Sequence, residues 1–456
     1  MKKKIFIIGA MVIVLVAVIC FIFLPTEGMR LSEARELKLN NEFEEAFKIY
    51  QELSEDGSSE GTYYLADLYA SGRGVEQSDS IAWKYYQQSA KLGFDKAKAQ
   101  VACAYFYGWY NQKRDQKKGY DSLKKLFDSS DSDYLKSIYA SLYYDNDEFI
   151  KDDKGKYDEI MGTLTESTDP YVLRLVGSMY GSGEKTDGDK AIEYWTKACE
   201  NGDGYSAFAL ARVYLYGWYN KPIDRKKGIE WLKKGIEQLS TECMIEYGDI
   251  CLDDSQDNKE YYSPSLGLAL YQKAARQNRG FAYYRLGNVY GLGIGAEIDI
   301  EQAFECFKKA TELGCPFGTY NYAISFYVGK GCSQDITKAK DLMRLAEDRG
   351  NGEAAYWLVV EAIKNNLGEA EVCKHLENAV SLGNTDAFYY MASCYQYGWW
   401  SYPQDDQNAF SYFKKAADNG HIEACKRVAE LYRTGNGCQM DLKRAKEYEN
   451  KVKEQN

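Results

Sequence analysis

Few side chains in this sequence are of the types that catalyse reactions. The chain has two histidines, His375 and His421, in 456 residues, which leaves little material for His-based catalysis or a histidine metal site. The spacing Ser-x-x-Lys, used by acyl-transfer serine enzymes, occurs at Ser122–Lys125 and Ser411–Lys414. Neither Ser-Asp-Asn nor Lys-Thr-Gly accompanies it, so the combination needed for acyl transfer is missing. We therefore predict no catalytic residue, no cofactor and no metal site, and expect both histidines to be surface or cap residues.

The composition narrows the choice of partner. The chain has 57 Lys+Arg against 68 Asp+Glu, a formal net charge of −11, so the basic surface of a nucleic-acid-binding protein is absent. We predict no nucleic-acid partner. Tyrosine is unusually frequent, with 41 residues, whereas there are only 6 prolines. The low proline content and a 45% hydrophobic fraction favour ordered helices over disorder.

The elements that must position any site are set by a repeated Tyr-x-x-Gly signal. Successive copies are 33 to 39 residues apart, which is the period of helical-hairpin solenoids. We call the first position of each copy the signal residue. Signal residues stand at Tyr69, Tyr105, Tyr180, Tyr214, Tyr290, Phe326, Tyr395 and Tyr432, with degenerate copies at Tyr143, Cys251 and Ala362.

Each copy predicts two helices. Small residues eight and three positions before the signal residue, with an apolar residue at four, form one face of a first helix, as in Ala282, Leu286 and Gly287. A glycine ends that helix, and Asn146 and Asn365 take its place in degenerate copies. A second helix with the pattern Ala-x-x-aromatic-aromatic follows and ends at another glycine, or at Asn278.

At this level the sequence resembles the Sel-one-like repeat family, a relative of the tetratricopeptide repeats. The best copies are Gly72–Val75 with Ser80–Gly93, and Gly329–Cys332 with Asp335 and Lys338-Ala339. The resemblance covers about residues 60 to 450 and implies an all-α fold, an α/α solenoid superhelix of about 11–12 helical-hairpin repeats. Residues 60–456 would form the solenoid, and residues 25–59 a linker and a divergent first repeat or cap.

The amino terminus predicts a membrane anchor. Residues 2–4 are lysines, and residues 5–24 contain no charged or strongly polar side chain. A helix of that length matches the roughly 30 Å hydrocarbon core of a bilayer. We expect residues 5–24 to be an uncleaved transmembrane signal anchor in contact with lipid, with residues 1–4 in the cytoplasm. The positive-inside rule then places the solenoid outside it, in a bacterial type of envelope. A cleaved signal peptide and a lipoprotein at Cys20 are the alternatives.

The cysteines do not predict a disulfide framework. Eleven follow the apolar segment, an odd number, and most stand where the repeat has small apolar residues. We interpret them as buried free thiols, with Cys425 and Cys438 as a conceivable staple across the last repeat. The lack of a Cys-x-x-Cys motif argues against structural zinc.

Aromatic residues recur in three loops at positions that the general repeat does not require. Gly108-Trp109-Tyr110-Asn111 reappears as Gly217-Trp218-Tyr219-Asn220, with a partial copy at Gly398-Trp399-Trp400. Exposed loop aromatics on a rigid scaffold commonly bind a partner. Alternatively, the rings fold back as plugs over their hairpins. Both interpretations are open at this stage.

A second aromatic series lies six residues before the signal residue. Such a ladder would present large rigid rings with polar tips to a peptide; the alternative is packing between repeats. Its members are Tyr63, Phe208, Tyr284, Tyr320, Tyr356 and Tyr389.

These observations favour a non-enzymatic protein. We expect a membrane-tethered scaffold or adaptor that binds other proteins through a helical-repeat surface, as the resemblance also implies. The alternative is a carbohydrate- or peptidoglycan-binding protein that uses the Trp-Tyr loops. A β-lactamase-like enzyme, an activity attributed to a cysteine-rich branch of the family, is less favoured because its accompanying motifs are missing.

Overall fold

The structure, a computed structural model, describes residues 25–39, 42–144, 154–182 and 186–454. These residues form 24 α-helices and one short 3-10 turn, without a β-strand among them. The all-α prediction is confirmed. The predicted anchor, residues 5–24, lies outside the described residues, and no helix in the described ranges is long and apolar enough to cross a membrane.

The chain divides into two compact units. The first extends to Asp249 and includes Arg276–Asn278. It contains six consecutive hairpins, the first of which lies in the segment predicted as a divergent repeat or cap. Their helices are Glu27–Leu39 (α1), Phe43–Glu55 (α2), Ser59–Ser71 (α3), Asp79–Lys91 (α4), Asp95–Tyr107 (α5), Gln116–Asp128 (α6), Asp133–Tyr144 (α7), Lys154–Leu164 (α8), Pro170–Gly181 (α9), Gly188–Glu200 (α10), Gly204–Tyr216 (α11) and Arg225–Glu237 (α12).

The second unit comprises Ile250–Ala275 and the chain from Arg279. The boundary falls within Thr241–Leu252 (α13), which is followed by Pro264–Ala275 (α14). Five hairpins complete this unit. Their helices are Gly280–Leu292 (α15), Ile300–Glu312 (α16), Pro316–Val328 (α17), Ile336–Asp348 (α18), Gly352–Lys364 (α19), Glu369–Ser381 (α20), Thr385–Tyr397 (α21), Asp406–Asp418 (α22), Ile422–Thr434 (α23) and Leu442–Glu454 (α24).

Small residues let the two helices of a hairpin approach each other. Ala282 and Gly287 of α15 are buried, as the spacing predicts. A Cβ atom at Gly287 would lie 2.4 Å from the ring of Phe307 in α16, a separation that real contacts do not reach. The aromatic residue of the second helix therefore occupies the space that the missing side chain of the first helix leaves.

The turn that ends the first helix of a hairpin requires a residue in the left-handed backbone conformation. Gly293 ends α15 with φ of 72°, which is the conformation that the signal glycine predicts. The assignment of Asn365 to this role is wrong: its φ is −97°, and the next residue, Asn366, has φ of 51°. The Asn365 side chain donates to the Glu361 carbonyl at 2.7 Å, which holds Asn365 against the last helical turn and moves the reversal on by one residue. Asn146 lies outside the described residues.

A pair of hydrogen bonds closes the loop between the helices. The residue before the second helix donates its backbone N–H to the carbonyl of the signal residue, as between Asp224 and Tyr214 (2.8 Å) and between Asp335 and Phe326 (3.0 Å). The carboxylate of the same aspartate accepts the N–H three residues on, which caps the second helix. One residue thus closes the loop and starts the helix.

The cysteines of the described residues are all free thiols. The conceivable staple is absent, because Cys425 and Cys438 donate to different carbonyls, those of Ala417 (3.4 Å) and Leu431 (3.5 Å). Burial raises the pKa of the Cys103 thiol to about 12. Such a thiol behaves as a small apolar side chain.

The turn geometry predicts opposite effects for two neighbouring glycines. Gly293→Ala should destabilise the protein by about 1 kcal/mol or more, since it places a side chain at positive φ. Gly291→Ala is the matched control: Gly291 lies within α15, and its added Cβ would meet Ala303 at an ordinary 3.6 Å, so stability should be unchanged or slightly higher. Equal denaturation midpoints for the two variants would show that the turn is misplaced.

Candidate functional site: the aromatic loops

The three aromatic loops are variants of one loop conformation. In the loops after Tyr69, Tyr290, Phe326 and Tyr432, a second glycine stands five residues after the signal residue, as Gly74 does after Tyr69, with φ of 69°. A Cβ at Gly74 would lie 2.3 Å from the carbonyl oxygen of Phe43 in the preceding hairpin, so backbone packs on backbone there. In the aromatic loops this position holds Tyr110, Tyr219 or Trp400, each with φ of 56°.

The aromatic loops are also longer by one residue. The closing hydrogen bond joins residues 105 and 115, 214 and 224, and 395 and 405, ten positions apart, whereas in the loop after Tyr69 it joins residues 69 and 78. The bond is retained in all of them at 2.7 to 2.9 Å. Because the closing hydrogen bond is the same in all of these loops, the additional residue must be accommodated between its two ends. There, non-glycine residues adopt the left-handed backbone conformation.

Tyr219 packs on the preceding hairpin. Its hydroxyl donates to the Gly181 carbonyl at 2.7 Å, and its ring centroid lies 6.2 Å from that of Trp195. A Cβ at Gly188 would lie 2.3 Å from the Tyr219 Cβ. Gly181 and Gly188 therefore leave a notch that the tyrosine fills, and this residue is a plug.

Tyr110 occupies the equivalent place three hairpins earlier in the chain. Its ring lies 5.2 Å from Tyr86 and 6.4 Å from Trp83, both on the preceding second helix. Its hydroxyl accepts a hydrogen bond from Nε2 of Gln100, and burial raises its pKa. Trp400 is more exposed, and its Nε1 donates to the Tyr390 hydroxyl at 3.2 Å.

The first aromatic residue of each loop remains exposed. Trp109, Trp218 and Trp399 retain 43%, 39% and 45% of their accessible surface. Each lies beside the tyrosine two positions earlier, with ring centroids 4.9, 6.4 and 5.1 Å apart. We call these the Tyr/Trp pairs: Tyr107/Trp109, Tyr216/Trp218 and Tyr397/Trp399.

The sequence prediction missed the tyrosines of these pairs. Tyr107, Tyr216 and Tyr397 each precede the loop glycine, so the signal is the tripeptide Tyr-Gly-Trp, which occurs in all three loops. The two interpretations of the loops therefore apply to different residues. Tyr110 and Tyr219 are packed, while the tryptophans present exposed faces.

One Tyr/Trp pair holds a cation from its own helix. The Arg212 guanidinium carbon lies 4.6 Å from the Trp218 ring, 5.6 Å from Tyr216 and 5.5 Å from Phe208, all within cation–π range. The Tyr216 hydroxyl donates to Glu246. Arg212 Nε is buried without a hydrogen-bond partner, so the rings are its main neighbours on that side.

The six ladder residues are all half-buried. Tyr389 is typical: it stacks on His421 at 4.5 Å and packs against Phe413 at 5.3 Å. Tyr63 lies 5.2 Å from Phe94 and Tyr284 lies 5.6 Å from Phe317. Burial raises the pKa of Tyr63, Tyr320, Tyr356 and Tyr389. These contacts describe rings that pack against neighbouring elements.

The expectation for His375 is wrong, whereas His421 caps a helix as expected. His375 is only 3% exposed, with Nδ1 2.7 Å from Glu347 and Nε2 3.2 Å from Glu371. Burial of Glu347 acts to raise its pKa, but hydrogen bonds from His375 and Asn378 lower it overall. Sequence periodicity does not reveal the contact between His375 and Glu347, because these two residues lie on different helices. His421 Nδ1 accepts the Ala424 N–H at the start of α23.

In the Ser-x-x-Lys motif at Ser122, the serine has no hydrogen bond that would activate it as a nucleophile. The Ser122 hydroxyl donates to the carbonyl of Lys118 at 2.8 Å, a bond within one helical turn. A nucleophilic serine instead requires a base that accepts its proton.

The aromatic loops provide rigid exposed rings beside polar groups. This arrangement is suited to non-covalent recognition.

A family model described as Sel1 repeat matches more than half of the chain. The matched segments are residues 59–94, 96–121, 170–203, 204–238, 241–278, 280–315, 316–351, 385–421 and 422–448. They coincide with hairpins of the structure and include all three Tyr/Trp pairs. The matches account for the resemblance seen in the sequence.

Two relatives with similar sequences are longer than this chain. The chain is similar to Chitin synthase regulator SKT5 of Saccharomyces cerevisiae, at 24% identity over 246 residues, covering 50% of this chain and 35% of the relative. It is similar to the uncharacterized protein NMB1327 of Neisseria meningitidis, at 24% identity, covering 60% of this chain and 56% of the relative. The matched region thus spans about a third to about half of these relatives.

Among solved structures, the chain is similar to c5321, a protective antigen of uropathogenic Escherichia coli with an SLR fold. The identity is 20% and the TM-score 0.41, with 89% of this chain and 86% of that chain covered.

The loop geometry predicts a stability difference between adjacent residues. Tyr219→Ala should destabilise the protein by about 2 kcal/mol or more, because it empties the glycine notch and removes a hydrogen bond. Trp218→Ala should cost about 1 kcal/mol or less, since its ring is exposed and mainly contacts Arg212. Chemical denaturation monitored by circular dichroism measures both, and the reverse order would mean that Trp218 is the plug.

Proposed function

This chain belongs to the Sel1 repeat family, and we propose that it is a non-enzymatic scaffold that binds other proteins through its exposed Tyr/Trp pairs while its amino-terminal segment anchors it to a bilayer. Sel1 repeat proteins are generally protein-interaction scaffolds. The relative from Saccharomyces cerevisiae is named as a regulator of chitin synthase. A role in holding or regulating another protein is the form of activity that we propose for this chain.

The observation that carries the proposal is the exposure of Trp109, Trp218 and Trp399 in loops that are otherwise tightly closed. Each ring lies beside a tyrosine ring, so it is held in place before a partner arrives. Tryptophan and tyrosine are enriched among residues that dominate binding energy, and rigid rings lose little conformational entropy on binding.

The proposal of no enzymatic activity rests on the side chains available. Burial raises the pKa of Cys243 and Cys394 to about 12, which keeps these thiols protonated at neutral pH. The Ser122 hydroxyl is occupied by a backbone carbonyl. Both histidines have structural contacts, His375 with carboxylates and His421 with a helix end.

Membrane attachment remains a prediction from the sequence. Residues 2–4 are lysines, and residues 5–24 are apolar throughout. An alkaline-phosphatase fusion after residue 60 should be active and a cytoplasmic reporter fused there inactive, because the positive-inside rule places the lysines in the cytoplasm. Deletion of residues 1–30 should release the protein from the membrane fraction. An inactive phosphatase fusion with an active cytoplasmic reporter would reverse the proposed topology.

The binding role predicts position-specific crosslinks. A photo-crosslinking amino acid replaces Trp109, Trp218 or Trp399 in the full-length chain in living cells, and each position should give an adduct with a protein. The same label at Ile81 and Leu345, exposed residues of second helices, serves as the control and should give none. Equal labelling from all five positions would contradict a binding role for the pairs.

The carbohydrate alternative predicts a different result from the same surface. A purified full-length chain that binds peptidoglycan fragments and loses this binding with Trp109→Ala or Trp399→Ala would assign the rings to a glycan. Flat exposed rings favour this second candidate. The protein partner remains preferred because the pairs differ in their charged neighbours, as Arg212 and the acidic loop after Trp399 show.

A further inference from the structure

Arg212 shows what chemistry a Tyr/Trp pair can hold. Its guanidinium lies 4.6 Å from the Trp218 ring, with Tyr216 and Phe208 on other sides. Arginine packs well on aromatic faces because its guanidinium is planar and weakly hydrated. In this hairpin the bound cation is part of the same helix.

The hairpin of α21 and α22 repeats the rings without the cation. Counting from the signal residues Tyr214 and Tyr395, Phe208, Tyr216 and Trp218 correspond to Tyr389, Tyr397 and Trp399, while Arg212 corresponds to Ser393. Ser393 is buried, and its hydroxyl donates to the Tyr389 carbonyl at 3.1 Å. Within the described ranges, the cation–π contacts include none with Tyr397, Trp399 or Trp400.

Additional rings extend this surface. Tyr390 lies 6.2 Å from Trp399, and its hydroxyl accepts the indole N–H of Trp400 at 3.2 Å. We call Tyr390, Tyr397, Trp399 and Trp400 the Trp399 cluster. The cluster has four rings, whereas Arg212 of the other hairpin lies among three, those of Phe208, Tyr216 and Trp218.

Carboxylates contact the two residues that directly follow Trp400 in the loop. The Ser401 hydroxyl donates to Glu369, and the Tyr402 hydroxyl donates to Glu377 at 3.0 Å. The loop then continues with Asp405 and Asp406 and contains no cationic residue from 398 to 406.

Two cationic residues on the neighbouring helices are paired with carboxylates. Lys374 lies 3.8 Å from Glu371, and Arg427 pairs with Glu430 at 2.6 Å. The rim of the cluster is therefore acidic, which attracts a positively charged ligand and disfavours an anionic one.

We propose that the Trp399 cluster binds an arginine or lysine side chain from a basic segment of a partner protein, in the place that Arg212 occupies in the other hairpin. The proposal rests on the scaffold function and specifies the partner as a basic segment. The rings supply cation–π contacts, and Glu369 and Glu377 supply the complementary charge.

Trp109 provides the matched comparison. It has the same stacked geometry with Tyr107, and Cys103 stands in the Arg212 position. Its loop carries Lys113 and Arg114 where the loop after Trp399 has the uncharged Pro403 and Gln404. A basic ligand should therefore prefer Trp399 to Trp109, although both rings are exposed.

The test is calorimetric binding of a four-arginine peptide to the purified full-length chain. The control peptide replaces each arginine by citrulline, which keeps the planar shape but removes the charge and replaces one NH2 group by a carbonyl oxygen. The arginine peptide should bind at least about tenfold more tightly than the citrulline peptide. Trp399→Ala should weaken it by about tenfold or more, while Trp109→Ala leaves the affinity within about twofold.

An arginine introduced at position 393 tests directly whether the Trp399 cluster binds a cation. Ser393→Arg should place a guanidinium among the rings and lower the affinity for the arginine peptide, as Trp399→Ala does. If Ser393→Arg does not fold by circular dichroism, Arg212→Ser gives the reciprocal test: emptying the Tyr216/Trp218 pair should add a second equivalent of bound peptide.

Four results would overturn the inference. They are equal affinity for the citrulline peptide, equal losses with Trp109→Ala and Trp399→Ala, unchanged affinity in a folded Ser393→Arg variant, and unchanged stoichiometry in Arg212→Ser. Each leaves the scaffold proposal standing, because that proposal is tested by crosslinks in cells. Conversely, crosslinks that do not distinguish the Tyr/Trp pairs from the control positions would remove the scaffold function even if the arginine peptide bound.

Discussion

The structure depends on one backbone hydrogen bond that closes most of the hairpins in the described residues. It runs from the residue before the second helix to the carbonyl of the signal residue, for example from Asp405 to Tyr395 at 2.9 Å. The ring of that signal residue stacks on the second helix, as Tyr395 does on Tyr412 at 5.8 Å. Backbone closure and ring stacking therefore converge on the same residue, which explains why the signal tyrosine recurs throughout the chain.

The same closure couples the cap of the second helix to the signal residue. Asp224 caps α12 through the N–H of Lys227, and the Lys227 ammonium lies 4.0 Å from the Tyr214 ring. The spacing Asp-x-x-Lys thus serves capping and ring contact together. Since both ends of the loop are held, changes within the loop do not propagate into the helices, and a loop can take an additional residue and different side chains.

The aromatic loops use this tolerance. An aromatic residue replaces the glycine that elsewhere packs by its backbone, and its ring fills the same contact with the preceding hairpin, as Tyr219 does with Gly181 and Gly188. Once that contact is made, the tryptophan before it is left at the surface. In the recognition that we propose, two features act together. The residue two positions before the signal residue decides whether a pair is filled internally, as by Arg212, and the charge of the loop decides whether an empty pair, such as that above Ser393, attracts an external cation.

The amino-acid sequence by itself determined the helical hairpins, their period and the positions of most turns, because small residues, aromatic residues and glycines recur with the spacing that helix packing and left-handed turns require. Only the tertiary structure decided which ring of each aromatic loop is packed and which is exposed, since that depends on contacts with the preceding hairpin some 30 residues away. It also decided that His375 is buried between Glu347 and Glu371 and that Asn366 takes the turn expected at Asn365. The first depends on a contact of His375 with Glu347 on another helix, and the second on a side-chain bond of Asn365 at the end of its own helix. The spacing of small and apolar residues contains neither contact.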